Sequence, residues 1–209
     1  MRERLRRRRA GWGWVLSTSV FGTLWAYFFV ANLRQWAPTG RPVGLGPMEL
    51  ELVIAILYII RRQPISVSRA PLAWSAAAVA CTGMLFARPA YEPVGGLEPL
   101  YFVLQLGGAG AAMLTLLTLG RSFGIVAANR GLKTTGPYGI VRHPLYGAYL
   151  VTMAGYLFEN PSVRNVVILG AVTAAQVIRI GEEEKCLSAD PEYRDYRRRV
   201  RFRIVPYLY

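Results

Sequence analysis

The chain has 209 residues, 53% hydrophobic and 18% charged, with a net charge of +13. That length fits one domain or two small ones. A positive balance would suit nucleic acid, but the arginines fall in the gaps between long apolar blocks and not along one soluble face. No nucleic-acid partner is therefore expected, and the blocks point to a lipid bilayer.

In chain order, residues 1–10 form a basic leader suited to an anionic lipid surface or to disorder. Trp12 to Leu33 is a predicted first helix, too long in its apolar run, and without a small-residue cleavage site, to be a signal peptide. Leu45 to Ile60 is a second, interrupted by Glu49 and Glu51; Pro71 to Ala87 is a third and Leu97 to Leu119 a fourth. Within the fourth, Leu106-Gly-Gly-Ala-Gly-Ala-Ala112 is a small-residue patch that lets a neighbouring helix approach closely. Those glycines lie mid-segment, not at the strand-to-helix turn a nucleotide fold requires. Leu145 to Phe158 and Val163 to Ile178 are expected to close the bundle as a helical hairpin about the turn Glu159-Asn160-Pro161. Both arms fall short of the roughly twenty residues of a full span, so the pair is tilted or re-entrant. In the tail, Asp190 caps a short helix with Pro191 in its first turn. The expected fold is all-α: a polytopic integral-membrane helical bundle of five to six segments. It divides into a leader (1–10), N-terminal membrane helices (11–119) and a region (120–209) with the last two helices and a cytoplasmic tail.

Lys and Arg are distributed unevenly. Six lie in the N-terminal leader, three in the gap before the third helix, four between residues 121 and 142, and eight from Arg179 onward; the alternate gaps hold only Arg34, Arg41, Arg88 and Arg164. By the positive-inside rule both termini are cytoplasmic and the number of crossings is even. Cys81 and Cys186 then fall in different compartments, so neither a disulfide nor a metal site is expected.

Two polar clusters sit on the cytoplasmic side. The first is Gly136-Pro-Tyr-Gly-Ile-Val-Arg-His-Pro-Leu-Tyr146, which holds the sole histidine, His143. Gly136-Pro137 makes a tight turn. His143 is pushed from helical geometry by Pro144, and Pro144 suits the first helical position. The N-terminus of that helix attracts anions, including the carboxylate of an amino-acid cofactor, and Tyr138, Tyr146 and Tyr149 offer faces to a cation. The second cluster is Arg179-Ile-Gly-Glu-Glu-Glu-Lys-Cys-Leu187. Arg179 and Glu183 share a helix face, at the end of an apolar span where ionisable groups usually face a cavity. Arg179 can hold a carboxylate bidentately, and Glu183 can accept from an amino or ribose group. Glu182 and Glu184 point to other faces, with one of them solvated. Arg121-Ser-Phe-Gly124 and Leu132-Lys-Thr-Thr135 flank the first cluster and are weak signals alone; Lys133 reads as a topology charge.

Together, Gly136-Pro-Tyr-x-x-Val-Arg-His-Pro-x-Tyr146, Arg179-x-x-x-Glu183-Glu184-x-x-Leu187 and Tyr193-x-x-Tyr196 resemble the isoprenylcysteine carboxyl methyltransferase family, related to the membrane phospholipid N-methyltransferases. The resemblance covers about Leu119 to Pro206. It implies S-adenosylmethionine as cofactor, in a pocket facing the cytoplasm, and a lipophilic methyl acceptor. Gly136, Pro137, Tyr138, Val141, Arg142, His143, Pro144, Tyr146 and Glu183 are the cofactor-binding residues so implied, and Arg179 and Glu183 the catalytic ones, with Arg179 orienting the acceptor. A carboxylate acceptor is already ionised and needs no base, which favours it over a phospholipid amine or a small thiol. A non-catalytic scaffold or a small transporter is the reading from another class; the inverted repeats and broken helices of a transporter are not seen.

Overall fold

A computed structural model describes residues 12–36, 45–89 and 95–207; the basic leader lies outside the described residues. The chain is predominantly helical, in the order α1 (Trp12–Trp36), α2 (Leu45–Ile60), α3 (Pro71–Thr82), α4 (Glu98–Leu119), α5 (Pro144–Glu159), α6 (Val163–Leu187) and α7 (Pro191–Arg199). Two elements depart from the sequence reading. The third helix stops at Thr82 and tightens into a 3-10 turn over Gly83–Phe86, where the Val172 side chain occupies the space that a Cβ on Gly83 would need. The sixth runs well past Ile178, to Leu187, so the second polar cluster is helical throughout. Its Glu and Lys residues are strong helix formers, and the i,i+3 pair Glu182–Lys185 at 2.7 Å supports the extension. The Ser162 side chain caps the other end by accepting from the Asn165 amide, and Asp190 caps α7 as expected, accepting from Glu192.

Period counting missed two short strands. β1 (Ser66–Val67) pairs antiparallel with β2 (Ala128–Asn129), and the same two loops are tied further by Arg62 N–H to the Arg121 carbonyl at 2.7 Å and Ser68 N–H to Ala127 at 2.9 Å. Asn129 in turn reaches Asp190 at 3.3 Å, and Arg61 reaches back to Ser17 and Thr18 on α1. The gaps that carry most of the positive charge thus meet at one end of the bundle. At the other end Asn165 holds the backbone of Arg88 from both sides, Arg164 donates to the Phe86 carbonyl, and Gln105 donates to Glu159.

The core lies where α2, α4, α5 and the segment 123–126 converge: Tyr58, Ala112, Leu116, Phe123 and Ile125 are all buried there. A smaller cluster of Met153, Leu169 and Val172 joins α5 to α6. Among the described residues, residues 98–122 and α6 are the two stretches long and apolar enough to cross a membrane. Val103, Leu114 and Leu117 on the first, and Val163, Val166 and Val167 on the second, are each more than half exposed. In water that apolar surface would be a liability; against lipid it costs nothing, and it supports membrane association.

The small-residue patch acts as expected at one position. A Cβ on Gly108 would lie 2.6 Å from the Thr152 amide nitrogen and 2.9 Å from the Ala148 carbonyl on α5. Backbone cannot yield as a side chain does, so Gly108→Val should force α4 and α5 apart and cost about 1–3 kcal/mol. Gly110, with open space around it, should tolerate alanine. Thermal unfolding of both variants in detergent checks this, and equal midpoints would contradict it.

Candidate active site

Residues 136–139 form a 3-10 turn, and Gly136 has φ +59°, a left-handed conformation that favours glycine. The Pro137 carbonyl accepts from the amides of Ile140 and Val141 and closes the turn. His143 precedes Pro144 with φ −129° and ψ 57°, outside the helical region, and Pro144 opens α5. The amides of Arg142 and His143 donate to the carbonyls of Phe202 and Arg203 at 3.0 and 2.7 Å, so the tail is laid against the motif.

The side chains are arranged about two consecutive carboxylates. Glu184, almost fully buried, receives the Arg142 guanidinium at 2.9 Å from both Nε and Nη2, Arg203 Nη2 at 2.9 Å, and the His143 Nε2 edge at 3.3 Å. Arg142 Nη1 also donates to the carbonyls of Val200 and Arg201. First motif, second motif and tail are therefore fastened at one point. The expectation that one of Glu182 and Glu184 is solvated is corrected: both are buried. Glu183 turns the other way. It accepts from the Tyr146 hydroxyl at 2.5 Å and lies 3.9 Å from Arg179 and 3.8 Å from His143 Nδ1. Arg179 Nη2 donates to the Ile125 carbonyl at 2.7 Å, and its guanidinium lies 5.2 Å from the Tyr146 ring centre.

Three tyrosines complete this end. Tyr196 donates to the Tyr138 carbonyl at 2.7 Å. Burial raises the Tyr196 hydroxyl to about 12 and pushes those of Tyr138 and Tyr193 higher still, with Glu183 and Glu184 respectively adding to the effect. Near neutral pH all three are neutral and able to donate.

A cavity of about 710 Å³ begins among these groups and continues along the inner faces of α5 and α6 to Met84, Leu85, Met153 and Tyr156. That volume is in the range of small-molecule sites. Six buried side-chain nitrogen or oxygen atoms among the described residues lack a hydrogen-bond partner. Four of them (Arg130 Nε, Gln176 Oε1, Arg179 Nε and the Tyr193 hydroxyl) belong to residues on the cavity wall. Buried polar atoms are normally satisfied, so this concentration suits a wall that completes its hydrogen bonds to a ligand.

Of the residues expected to bind or act, Tyr138, Arg142, His143, Tyr146, Arg179 and Glu183 line the cavity. Gly136, Pro137, Val141 and Pro144 do not; they shape the turn and start the helix, a scaffolding part that the motif could not separate from contact. Arg142 reaches the wall with its guanidinium committed to Glu184. Of the segment before the motif, the sequence reading took only weak signals at Arg121–Gly124 and Leu132–Thr135 and none between them, yet Phe123, Gly124, Ile125, Val126, Arg130, Leu132 and Lys133 all face the cavity. Its signal was a short apolar run, Phe123 to Ala127 around Gly124, inside a polar loop. Tyr193, quoted only as part of a motif, is a wall residue with a free hydroxyl.

The fold is thus a helical bundle whose exposed apolar helices support membrane association, with an amphipathic cavity opening among charged and aromatic groups at one end. Residues 100–190 match the model of the phospholipid methyltransferase family, the family of the isoprenylcysteine and phospholipid methyltransferase group. The match starts in α4, earlier than the motifs alone indicated, and takes in both polar clusters. No curated protein matches the chain.

Because Glu184 neutralises the buried Arg142 guanidinium and also pairs with the partly exposed Arg203, Glu184→Gln should destabilise the fold by about 3–5 kcal/mol. Glu182→Gln, which loosens only the contact to the exposed Lys185, should cost less than about 1 kcal/mol. Thermal melts in detergent measure both; similar losses would remove Glu184 from its central place.

Proposed function

We propose that this chain is an integral-membrane S-adenosylmethionine-dependent methyltransferase acting on a lipophilic acceptor, with isoprenylcysteine-type carboxylate methylation as the preferred chemistry. The observation that carries this reading is the continuous cavity, polar and aromatic where the two motifs meet and apolar along α5 and α6. One end fits a charged, water-soluble cofactor and the other a lipid chain. The orphaned donors on its wall, Arg130 Nε, Arg179 Nε and the Tyr193 hydroxyl, suit the carboxylate, ribose and base of such a cofactor. On this reading the bundle has five to six membrane segments making an even number of crossings, both termini and the site are cytoplasmic, and the acceptor enters laterally from the membrane.

Bound S-adenosylmethionine supplies a methyl group activated by its sulfonium, so the protein's task is positioning and exclusion of water. The rings of Tyr138 and Tyr146 give a cation a favourable surface. Glu183, fixed by the Tyr146 hydroxyl, accepts from the cofactor's amino or ribose groups. Arg179, held by the Ile125 carbonyl, turns its unpartnered Nε to the acceptor and orients a carboxylate there. A carboxylate acceptor is already ionised and needs no proton removed, which favours it. The family match favours a second reading, a phospholipid amine acceptor, in which the proton lost by the amine passes to the Glu183–His143 pair.

Calorimetry of S-adenosylmethionine with the detergent-purified chain is the direct test. Binding is expected in the wild type and should weaken at least about tenfold in Glu183→Ala, the scale of one charge-assisted hydrogen bond. A folded wild type that binds no cofactor would favour a scaffold instead.

A further inference from the structure

Among the described residues Arg130 is a buried cation with no ion-pair partner. It is 8% exposed, its Nε has no partner, and its hydrogen bond is a long one, 3.5 Å from Nη1 to the Val126 carbonyl. Among the described residues no carboxylate lies within ion-pair distance of it, whereas the other arginines on the cavity wall are matched, Arg142 with Glu184 and Arg179 with Glu183. Burial and the like charge of Arg61 lower its pKa to about 10, as expected of a guanidinium in an uncompensated site. Yet the fold makes room for it: the guanidinium lies where a Cβ on Gly124 would stand. An isolated buried charge is costly, and an anion in the cavity would offset that cost.

We infer that Arg130 binds the carboxylate of the amino-acid portion of S-adenosylmethionine, an inference that rests on the methyltransferase reading above. Position selects this anion. Arg130 directly follows β2, at the charge-rich end and away from the apolar arm toward Met153 and Tyr156 that would receive an acceptor chain. The N-terminus of α5, the site suggested by helix polarity, already faces Glu183 and Glu184, and a third carboxylate there would be repelled. An amino-acid end carries a carboxylate and an ammonium close together, and Arg130 and Glu183 offer one opposite charge to each.

The test is calorimetry on the full-length, detergent-solubilised chain with two ligands, S-adenosylmethionine and its decarboxylated analogue, against wild type, Arg130→Gln and Arg130→Lys. The wild type should bind the decarboxylated ligand about 10- to 100-fold more weakly, the range of a charge-assisted contact. Arg130→Gln should lose a similar factor for S-adenosylmethionine and almost nothing for the analogue, and Arg130→Lys should recover part of the loss. Equal weakening of both ligands would make Arg130 a structural residue and overturn the inference, as would unchanged cofactor affinity in Arg130→Gln. A folded wild type that binds neither ligand would overturn the methyltransferase reading and this inference with it. Thermal unfolding of each variant separates lost binding from lost fold.

Discussion

The arrangement of this protein's charged end depends on one buried carboxylate. Glu184 sits on the last turns of α6 and gathers Arg142 and His143 from the first motif and Arg203 from the tail. These segments are distant in sequence, and the carboxylate joins them at one point. A carboxylate can hold several donors at once because each oxygen accepts more than one hydrogen bond. Burying it is favourable only because those donors are cationic and well placed; with one removed, the rest of the set would be left with an uncompensated charge. The tail carbonyls of Val200 and Arg201 take the remaining Arg142 donors, so few hydrogen-bonding groups of the cluster are left over.

That anchoring leaves Glu183 free to face the cavity. Consecutive residues on a helix differ by about 100° in direction, so the Glu183-Glu184 pair cannot serve one site. One carboxylate is committed to holding the motif, loop and tail together; its neighbour presents an acceptor to the interior, set by Tyr146 and flanked by Arg179. His143 stands between them, one ring edge toward each, and so ties the orientation of the anchoring carboxylate to that of the one facing the cavity. The tyrosines are consistent with this division. Raised by burial, they remain neutral donors and add no further negative charge beside two acids.

Much of this was legible in the sequence, and the reasons differ by element. Apolar block length located the helices, because a helix facing lipid needs no amphipathic period. Proline and glycine located the turn at 136–139 and the start of α5. The N-cap at Asp190 followed from its side chain and the proline after it. The extension of α6 to Leu187 was not legible from hydropathy, which ends at Ile178; helix propensity and the i,i+3 and i,i+4 charges carry those last turns. The burial of Glu184 was hidden because its partners, Arg142 and Arg203, are separated from it by tens of residues on one side and by a helix on the other. The β1–β2 pairing was hidden because two-residue strands have no period to read.

The loop before the motif shows most clearly what composition conceals. Arg121, Arg130 and Lys133 were counted alike as topology charges, yet they have three different fates. Arg121 is exposed and donates to the Ile60 carbonyl, fastening α2 to the loop; Lys133 is partly exposed at the cavity edge; Arg130 is buried. What separates them is the apolar run Phe123 to Ala127, which plunges into the core between α2 and α4 and takes the residues after it inward. Gly124 then removes the one side chain that would exclude the guanidinium. A positive-inside count records only that a residue is charged and on which side. Whether the charge sets topology or lines a site is decided by the apolar residues beside it, so the informative pattern at this end of the chain is a basic residue that follows an apolar run within a polar loop.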